Sequence, residues 1–378
     1  MKSPRRILVQ VNSSFDLYML SSLIKENTKK DTVDLLAPRF LATRVPEDIK
    51  NIYSNIYTFD EKIRNLFSLR SILETIRISF WSFKNRDYYN QVLFGAYRND
   101  ITSVLAKHFA KKSELIAIKQ GIDLPDKMFD TFFSLRKLHD RIYFFIFGYS
   151  GFLAQRQKET NDRSSDFLFT RPKWLNDPFK KNNVYTIGRK HKLLDGYNFI
   201  YPNLKTFLKE KNLKNDQRRG VFIVGERTPM VTSWSNEQDK ILKEVFNLIK
   251  KESENEQIYL RARKNLTNKD FYKDLKPELL DINQPYDDQI ISINPRIIIS
   301  IKSTASKVGS YYGFNSLILY PMMNFTESEK THLDYLFGDG APIKFIKEIG
   351  ELKTELQDKI LTKPKNSEDV FITKDFLS

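Results

Sequence analysis

The sequence predicts an α/β protein of two domains, each built on a parallel sheet. Short apolar segments rich in β-branched residues alternate with longer segments of helical periodicity, first over residues 1–200 and again from residue 219. A chain of 378 residues also exceeds the size at which a single hydrophobic core keeps growing. Because alternating strands and helices form parallel sheets that are covered on both faces, we expect two such layered units.

In the first half, the segment RRILVQV (Arg5–Val11) is the first predicted strand, since a β-branched apolar run precedes the polar turn NSS and a helical pattern. The same strand, turn and helix pattern recurs along this half. The further predicted strands are Thr32–Pro38, Ile52–Phe59, Tyr89–Tyr97, Ser113–Gly121 and Val184–Ile187.

The pattern restarts in the second half after a charged segment. The predicted strands there are Gly220–Glu226, Glu256–Asn265, Leu279–Asn283, Ile297–Ile301 and Asn315–Pro321. We therefore predict a first domain over residues 1–200, a linker over 201–218, a second domain over 219–350 and a helix or tail over 351–378. Two α/β halves joined by a linker suggest a ligand cleft.

Composition excludes several kinds of chemistry. The chain has no cysteine, which rules out a disulfide, a thiolate nucleophile, a cysteine-bound zinc and an iron–sulfur cluster. Its four histidines never form an i, i+4 pair, so we expect no histidine-rich metal site and no obligatory metal, and any metal would need oxygen ligands. The net charge of +15 suits a nucleic acid, an anionic membrane surface or a phosphorylated small molecule. Nucleic acid is the least favoured of these, because 47 acidic residues are interspersed with the basic ones.

Ligands of open α/β sheets bind beyond the carboxyl ends of the strands, so the residues there are the candidates for chemistry. Ser303, Thr304 and Ser306 follow an apolar strand and open a helix, where hydroxyls and free amides favour an anion such as phosphate. Helix capping is the alternative explanation. The other basic candidates for phosphate binding follow a second strand, and their alternative is a solvated surface: Arg261, Arg263 and Lys264.

The first half offers two glycine-containing strand ends. The segment FGAYRND contains Gly95, and the segment IKQGIDLP contains Gly121 with Asp123 just beyond it. A carboxylate at such a position is the ordinary general base for a sugar hydroxyl, so Asp123 is the first candidate, with a plain turn residue as the alternative. Glu226, which follows Gly225 at a strand end of the second half, is the reserve candidate.

The order of these segments resembles the GT-B glycosyltransferases of bacterial surface polysaccharide synthesis, and within them the sialyltransferase and polysialyltransferase-like group. FGAYRND and IKQGIDLP resemble the acceptor-side motifs, IYLRARKN stands where a Lys-Pro-His-Pro type motif is expected, and IKSTASKVG resembles the Ser-Ser/Thr motif. The sequence departs from that group where Lys119 and Gln120 replace two carboxylates and where Arg263 replaces a histidine.

The resemblance implies two Rossmann-like domains facing a cleft. It implies transfer of a sugar, in particular a nonulosonate from a CMP donor, onto capsule, lipooligosaccharide or O-antigen, with no cofactor beyond the donor. A transferase that uses a UDP-sugar and a catalytically inactive binding or assembly protein remain open. The expected partners are a nucleotide sugar and a glycan or glycolipid acceptor.

We expect a cytoplasmic protein with peripheral contact to the anionic inner face of the plasma membrane. No signal peptide or membrane span is predicted. Two helical segments combine basic and aromatic residues and suit an interface, Asn65–Phe83 and Phe132–Tyr149. Burial of the same stripes in an ordinary core is the alternative.

Overall fold

The computed structural model describes residues 4–27, 31–60, 69–95, 100–119, 184–187, 198–200, 204–210, 218–225, 236–262, 272, 274–337 and 343–358. The chain divides into two compact units, with the division between Ile200 and Tyr201. Each unit has its own parallel sheet. No helix in these described ranges is long and apolar enough to cross a membrane.

The first unit is built on a parallel sheet with the strand order β3-β2-β1-β4-β5-β6-β7. Its strands are β1 (Arg6–Gln10), β2 (Thr32–Pro38), β3 (Asn55–Phe59), β4 (Gln91–Phe94), β5 (Glu114–Lys119), β6 (Val184–Ile187) and β7 (Asn198–Ile200). Its described helices are α1 (Ser14–Asn27), α2 (Arg39–Ala42), α3 (Glu47–Lys50), α4 (Leu69–Asn85) and α5 (Asp100–Phe109).

Unbroken apolar runs place the central strands of this sheet in the interior. Within β1, Ile7, Leu8 and Val9 are fully buried, and β4 is buried along its whole length. Burial on both faces is the reason that these strands lack the polar alternation of a half-exposed strand. Helices α4 and α5 cover one face, where Phe94 and Phe109 belong to the same apolar cluster.

The second unit contains a parallel sheet with the order β10-β9-β8-β11-β12-β13. Its strands are β8 (Val221–Gly225), β9 (Ile258–Ala262), β10 (Glu278–Leu279), β11 (Ile297–Ser300), β12 (Asn315–Ile318) and β13 (Lys344–Phe345). Its described helices are α6 (Lys205–Glu210), α7 (Asn236–Glu252), α8 (Tyr286–Ile293), α9 (Thr304–Tyr311), α10 (Glu327–Phe337) and α11 (Ile349–Gln357).

The prediction of an α/β protein with two parallel sheets is confirmed, and most predicted strands appear with shorter ends. Strands β7 and β13 were not predicted because they are only 3 and 2 residues long. The prediction of a strand over Leu279–Asn283 was wrong beyond its first residue, because the chain turns there: the Asn283 amide donates to the Asp281 side chain at 2.9 Å.

The segment predicted as a linker, 201–218, packs on the second unit where it is described. It contains α6, whose Phe207 is buried. The Leu204 amide donates to the Tyr311 carbonyl at 3.1 Å, and the Arg218 guanidinium donates to the Gly313 carbonyl at 2.7 Å. These hydrogen bonds hold both ends of the segment against the end of α9.

Helix α9 approaches the sheet of the second unit closely because small residues line the contact. A Cβ atom on Gly309 would lie 2.5 Å from Ile298 Cδ1, 3.1 Å from the Tyr286 hydroxyl and 3.2 Å from Ser316 Oγ. A larger residue at this position would therefore have to move the ends of these side chains, the tip of Ile298 first.

We predict that Gly309→Ala lowers the free energy of unfolding by about 1–3 kcal/mol, because overpacking forces strain into a filled interior. Denaturant unfolding measures the change. Gly350→Ala is the matched control in another helix, since a Cβ there meets nothing closer than Glu348 Oε1 at 3.9 Å. The control should be neutral or stabilising by up to about 1 kcal/mol, because alanine is the better helix former. Equal effects of the two substitutions would contradict the close approach.

Candidate functional site

The strand order of the second sheet reverses between β8 and β11, and this switch point is where α/β sheets bind ligands. The register pairs Val224 with Ser300 on one side and with Arg261 on the other. Gly225 is the last residue of β8, and the loop to α9 leaves β11 directly after Ser300. The predicted residues Gly225, Arg261 and Ser303 therefore all lie at the carboxyl edge of one sheet.

Ser303 caps helix α9 at this edge. Its backbone is extended, with φ −81° and ψ 130°, and its side chain accepts a hydrogen bond from the Ala305 amide at 3.3 Å. Thr304, the first residue of the helix, is exposed. The start of α9 thus presents two hydroxyls and the free amides of a helix N-terminus, the arrangement that attracts anions.

Ser306 lies in the interior, unlike Ser303 and Thr304, with which it was predicted to bind an anion. It is fully buried, and its hydroxyl donates to Ser300 Oγ at 2.7 Å. This bond connects the first turn of α9 to the end of β11 inside the protein. Ser306 therefore fixes the position of the helix, whereas Ser303 and Thr304 remain near the surface.

Arg261 is held by protein groups. Its guanidinium donates to the carbonyls of Gln284 at 2.8 Å and Ile282 at 3.2 Å, and it also donates to the side chain of Gln289. These bonds tie the end of β9 to the turn that precedes α8. In this arrangement Arg261 shapes the edge of the sheet, and binding a phosphate would require it to exchange some of these partners.

Lys307 is a basic residue of this region that the sequence reasoning missed. It lies one helical turn after the Ser303 cap and is 8% exposed. Burial lowers the pKa of its ammonium group to about 8. Because Lys307 lies four residues after the Ser303 cap, it adds a positive charge to the first half of α9. The only signal in the sequence is its place in the first turns after STAS.

The first sheet reverses its strand order between β1 and β4. Gly95 follows β4 there, and its amide donates to the Gln10 carbonyl at 2.8 Å. A Cβ on Gly95 would lie 2.8 Å from Asp16 Cβ, so the ends of these strands and the start of α1 are in close contact. The glycine predicted for ligand approach therefore also serves packing.

Asp16 is the carboxylate that the structure places at this edge. It is 1% exposed, and its Oδ2 atom accepts the amides of Asn12 at 3.0 Å and Ser13 at 2.9 Å. The Asp16 amide donates to Ser13 Oγ at 3.2 Å. The reciprocal pair is a capping box at the start of α1, with Asp16 in the place of the usual glutamate. The motif S-x-x-D at 13–16 was the available signal in the sequence.

Of the remaining predicted site residues, Lys119 is described and the other six lie outside the described part of the chain. Lys119 is the last residue of β5, where it pairs with Thr186. The others fall in segments that the structure does not describe, namely Gln120, Gly121, Asp123, Glu226, Arg263 and Lys264. Within the described ranges, no group of three or more His, Asp or Glu residues could hold a metal ion.

Comparison with known proteins finds similarity in structure alone. No protein-family model matches the chain, and no curated protein sequence matches it. The UDP-GlcNAc 2-epimerase from Neisseria meningitidis bound to UDP-GlcNAc superposes with a TM-score of 0.50 at 11% identity, over 93% of this chain and 90% of that chain.

Two enzymes of Escherichia coli are similar at lower scores. Heptosyltransferase WaaC with ADP-2-deoxy-2-fluoro heptose has a TM-score of 0.46 at 10% identity, over 90% of this chain and 92% of that chain. ADP-heptose lps heptosyltransferase II has a TM-score of 0.41 at 12% identity, over 96% of each chain. Together with the two parallel sheets, the epimerase superposition assigns the chain to the α/β class of two Rossmann-like domains, the GT-B fold. The narrower likeness to sialyltransferases stays a prediction.

We predict that Asp16→Ala lowers the free energy of unfolding by about 2–4 kcal/mol, because two backbone amides lose their buried acceptor. Chemical denaturation followed by circular dichroism measures this. Glu47→Ala is the control, since Glu47 is an exposed acidic residue in the first turn of α3. The control should change stability by less than about 0.5 kcal/mol. A similarly small effect of Asp16→Ala would contradict the structural role of the capping box.

Proposed function

We propose that this protein is a glycosyltransferase that uses a nucleotide sugar and binds the phosphate of its donor at the start of α9. The observation that carries the proposal is the hydroxyl-bearing N-terminus of α9 at the switch point of the second sheet. Such a position combines free backbone amides with the positive end of the helix dipole, equivalent to about half an elementary charge. Ser303 and Thr304 supply the hydroxyls.

Lys307 supports the same assignment electrostatically. A buried ammonium whose pKa is about 8 is still mostly protonated at neutral pH, and it sits in a medium that screens charge weakly. An anionic ligand at the helix start would offset the cost of burying that charge. We propose that Lys307 stabilises the donor phosphate from its buried position on α9. Arg261 fixes the turn that precedes α8.

The donor we propose is a nucleotide-activated sugar, and the acceptor is a bacterial surface glycan such as capsule, lipooligosaccharide or O-antigen. The sequence resemblance favours a CMP-nonulosonate. The epimerase with the same fold holds UDP-GlcNAc, which supports a UDP-sugar as the other candidate. The proposed acceptor side consists of Gly95, Lys119, Gln120 and Gly121. Asp123 is the proposed general base, with Glu226 in reserve.

We predict that Ser303→Ala weakens nucleotide binding about tenfold, because the variant loses one phosphate-facing hydroxyl and loosens the cap. Thermal shifts with CMP, UDP, GDP, CDP and ADP identify the nucleotide, and titration calorimetry gives the dissociation constant. Lys307→Met keeps the buried volume and removes the charge. We expect it to weaken binding in the same direction and to reduce the dependence of binding on salt.

Thr326→Ala is the matched control for Ser303→Ala. The Thr326 hydroxyl caps α10 in the same unit by accepting the Glu329 amide at 3.3 Å. Both substitutions should cost about 1 kcal/mol of stability, and only Ser303→Ala should affect the nucleotide. Equal nucleotide affinity in the two variants would refute a phosphate site at α9, as would the absence of a thermal shift with all five nucleotides.

We predict that Asp123→Asn lowers the rate of sugar transfer by 10² to 10⁴, the usual contribution of a general base, and leaves nucleotide affinity unchanged. Asp126→Asn, three residues further on, is the control and should retain full activity. Full transfer by Asp123→Asn would exclude Asp123 as the base.

The alternative is a catalytically inactive protein of the same fold that binds a nucleotide sugar or takes part in assembly. It is motivated by the sequence positions where Lys119 and Gln120 replace two carboxylates of the resembled group. Turnover separates the two functions. A nucleotide that shifts the melting temperature without any consumption of the matching nucleotide sugar, in the presence of glycan acceptors, favours the alternative.

A further inference from the structure

One face of α4 exposes a stripe of large apolar side chains. Its members are large side chains with exposures of 48–69%, and we name them the α4 stripe: Ile72, Leu73, Ile76, Phe80 and Phe83. At about 100° per residue, all five fall within an arc of about 100° on the helix. A continuous stripe of this kind indicates an interaction surface, since single exposed apolar residues are ordinary.

The inner face of α4 already satisfies the needs of the core. Ile78 and Ser82 are buried, and the Trp81 ring packs 5.1 Å from the Tyr57 ring and 6.5 Å from the Phe109 ring. The helix is therefore anchored to the sheet by one face and apolar again on the other. In the described part of the first unit, the fold covers the outer stripe only in part, since each of its side chains stays at least 48% exposed.

Basic residues border the stripe. The Arg86 guanidinium lies 4.4 Å from the centre of the Phe83 ring, and Phe83 also contacts the His108 ring at 5.9 Å. Burial, and then the charges of Lys107 and Arg86, lower the pKa of His108 below its ordinary value. Over residues 69–112 the sequence has eight Lys and Arg residues against three Asp and Glu.

Not all of these charges are available to a partner. Glu74 offsets Arg77 through an ion pair at 2.5 Å, and Asp87 lies 3.4 Å from Arg86 and 3.7 Å from Lys112. Among the side chains described between residues 72 and 112, six basic ones are nevertheless exposed against one acidic one, Asp87. Lys84 and Lys111 are exposed and contribute to that excess.

We propose that the α4 stripe lies in the surface of an anionic lipid bilayer, with its apolar side chains at the level of the headgroups and its basic border against anionic lipids. An apolar face flanked by Lys and Arg is the pattern of helices that lie in a membrane interface without spanning it. The proposal rests on the first unit alone and is independent of the proposed sugar transfer.

The size of the stripe favours a bilayer over a second copy of the chain. The stripe runs about 17 Å along the helix from Ile72 to Phe83, and its five side chains together expose on the order of 500 Å². A stable dimer buries about 800 Å² on each partner. A dimer across α4 would also bring two positive borders together, whereas a bilayer with anionic lipids neutralises them.

The test uses the full chain and its lack of cysteine. Phe80→Cys places one thiol on the stripe, and an environment-sensitive fluorophore attached there reports entry into lipid. We expect a blue shift and a severalfold rise in intensity with vesicles of phosphatidylcholine containing 30% phosphatidylglycerol. Leu279→Cys carries the same label on an exposed apolar residue of the second unit and should not respond. An unchanged spectrum at position 80 would overturn the proposal.

Vesicle flotation supplies the complementary measurement. The double substitution Ile76→Ser with Phe80→Ser should lower the vesicle partition coefficient at least tenfold, whereas Leu279→Ser should leave it unchanged. Retained binding by the double variant would mean that charge alone carries the contact and would overturn the role of the stripe. The wild type could instead dimerise with increasing concentration and fail to bind vesicles. If the double variant lost that dimerisation, the partner of the stripe would be a second copy of the chain and the bilayer proposal would be wrong.

Discussion

The parallel direction of the paired strands is the constraint on which the rest of each unit depends. Because the strands of a sheet run the same way, their carboxyl ends meet at one edge, and each helix that follows a strand begins there. The reversal of strand order at β1/β4 and at β8/β11 then separates two neighbouring connections and leaves room between them. The parallel direction of the strands therefore brings helix N-termini, polar turns and strand-end glycines together at these edges.

This constraint explains why the same residues serve both packing and binding. Ser306 and Ser300 join α9 to its strand by a buried hydrogen bond, and that bond sets where the Ser303 hydroxyl stands. Gly309 lets the helix approach the sheet, so the helix start cannot shift without disturbing its far end. A helix that is fixed along its length presents its free amides in a constant geometry, which is what preorganised anion binding needs.

Apolar runs and their order made the two sheets predictable from the sequence. The run Ile297–Ile301 is apolar throughout, which predicts burial on both faces, and it is too short for a helix. It therefore predicts a buried strand. Strand β13, with 2 residues, and the packing of α6 depend on contacts between segments far apart in the chain, such as Arg218 with Gly313. Local patterns do not contain that information.

The same limit applies to the candidate site. The sequence predicted which residues reach the carboxyl edge, but it could not assign their partners. Arg261 finds its acceptors at residues 282–289, and Asp16 takes its role from the turn that precedes α1. Lys307 was missed because burial, a tertiary property, is what makes it unusual. The type of a residue and its place at a strand end predict that it lies near the site. Its role in the site depends on its hydrogen-bond partners, which the sequence does not show.

Helices α4 and α7 show why amphipathic pattern alone does not predict the environment of a helix. Both alternate apolar and charged residues at helical spacing, and in α7 the apolar residues Leu242, Val245 and Ile249 are buried in the core. In α4 the inner face is filled by Ile78, Trp81 and small polar residues, and the five large side chains of the α4 stripe lie on the outer face. A sheet can cover one face of a helix. A helix with two apolar faces therefore leaves its second face exposed, and the basic residues beside that face are the reason that we propose a bilayer as its partner.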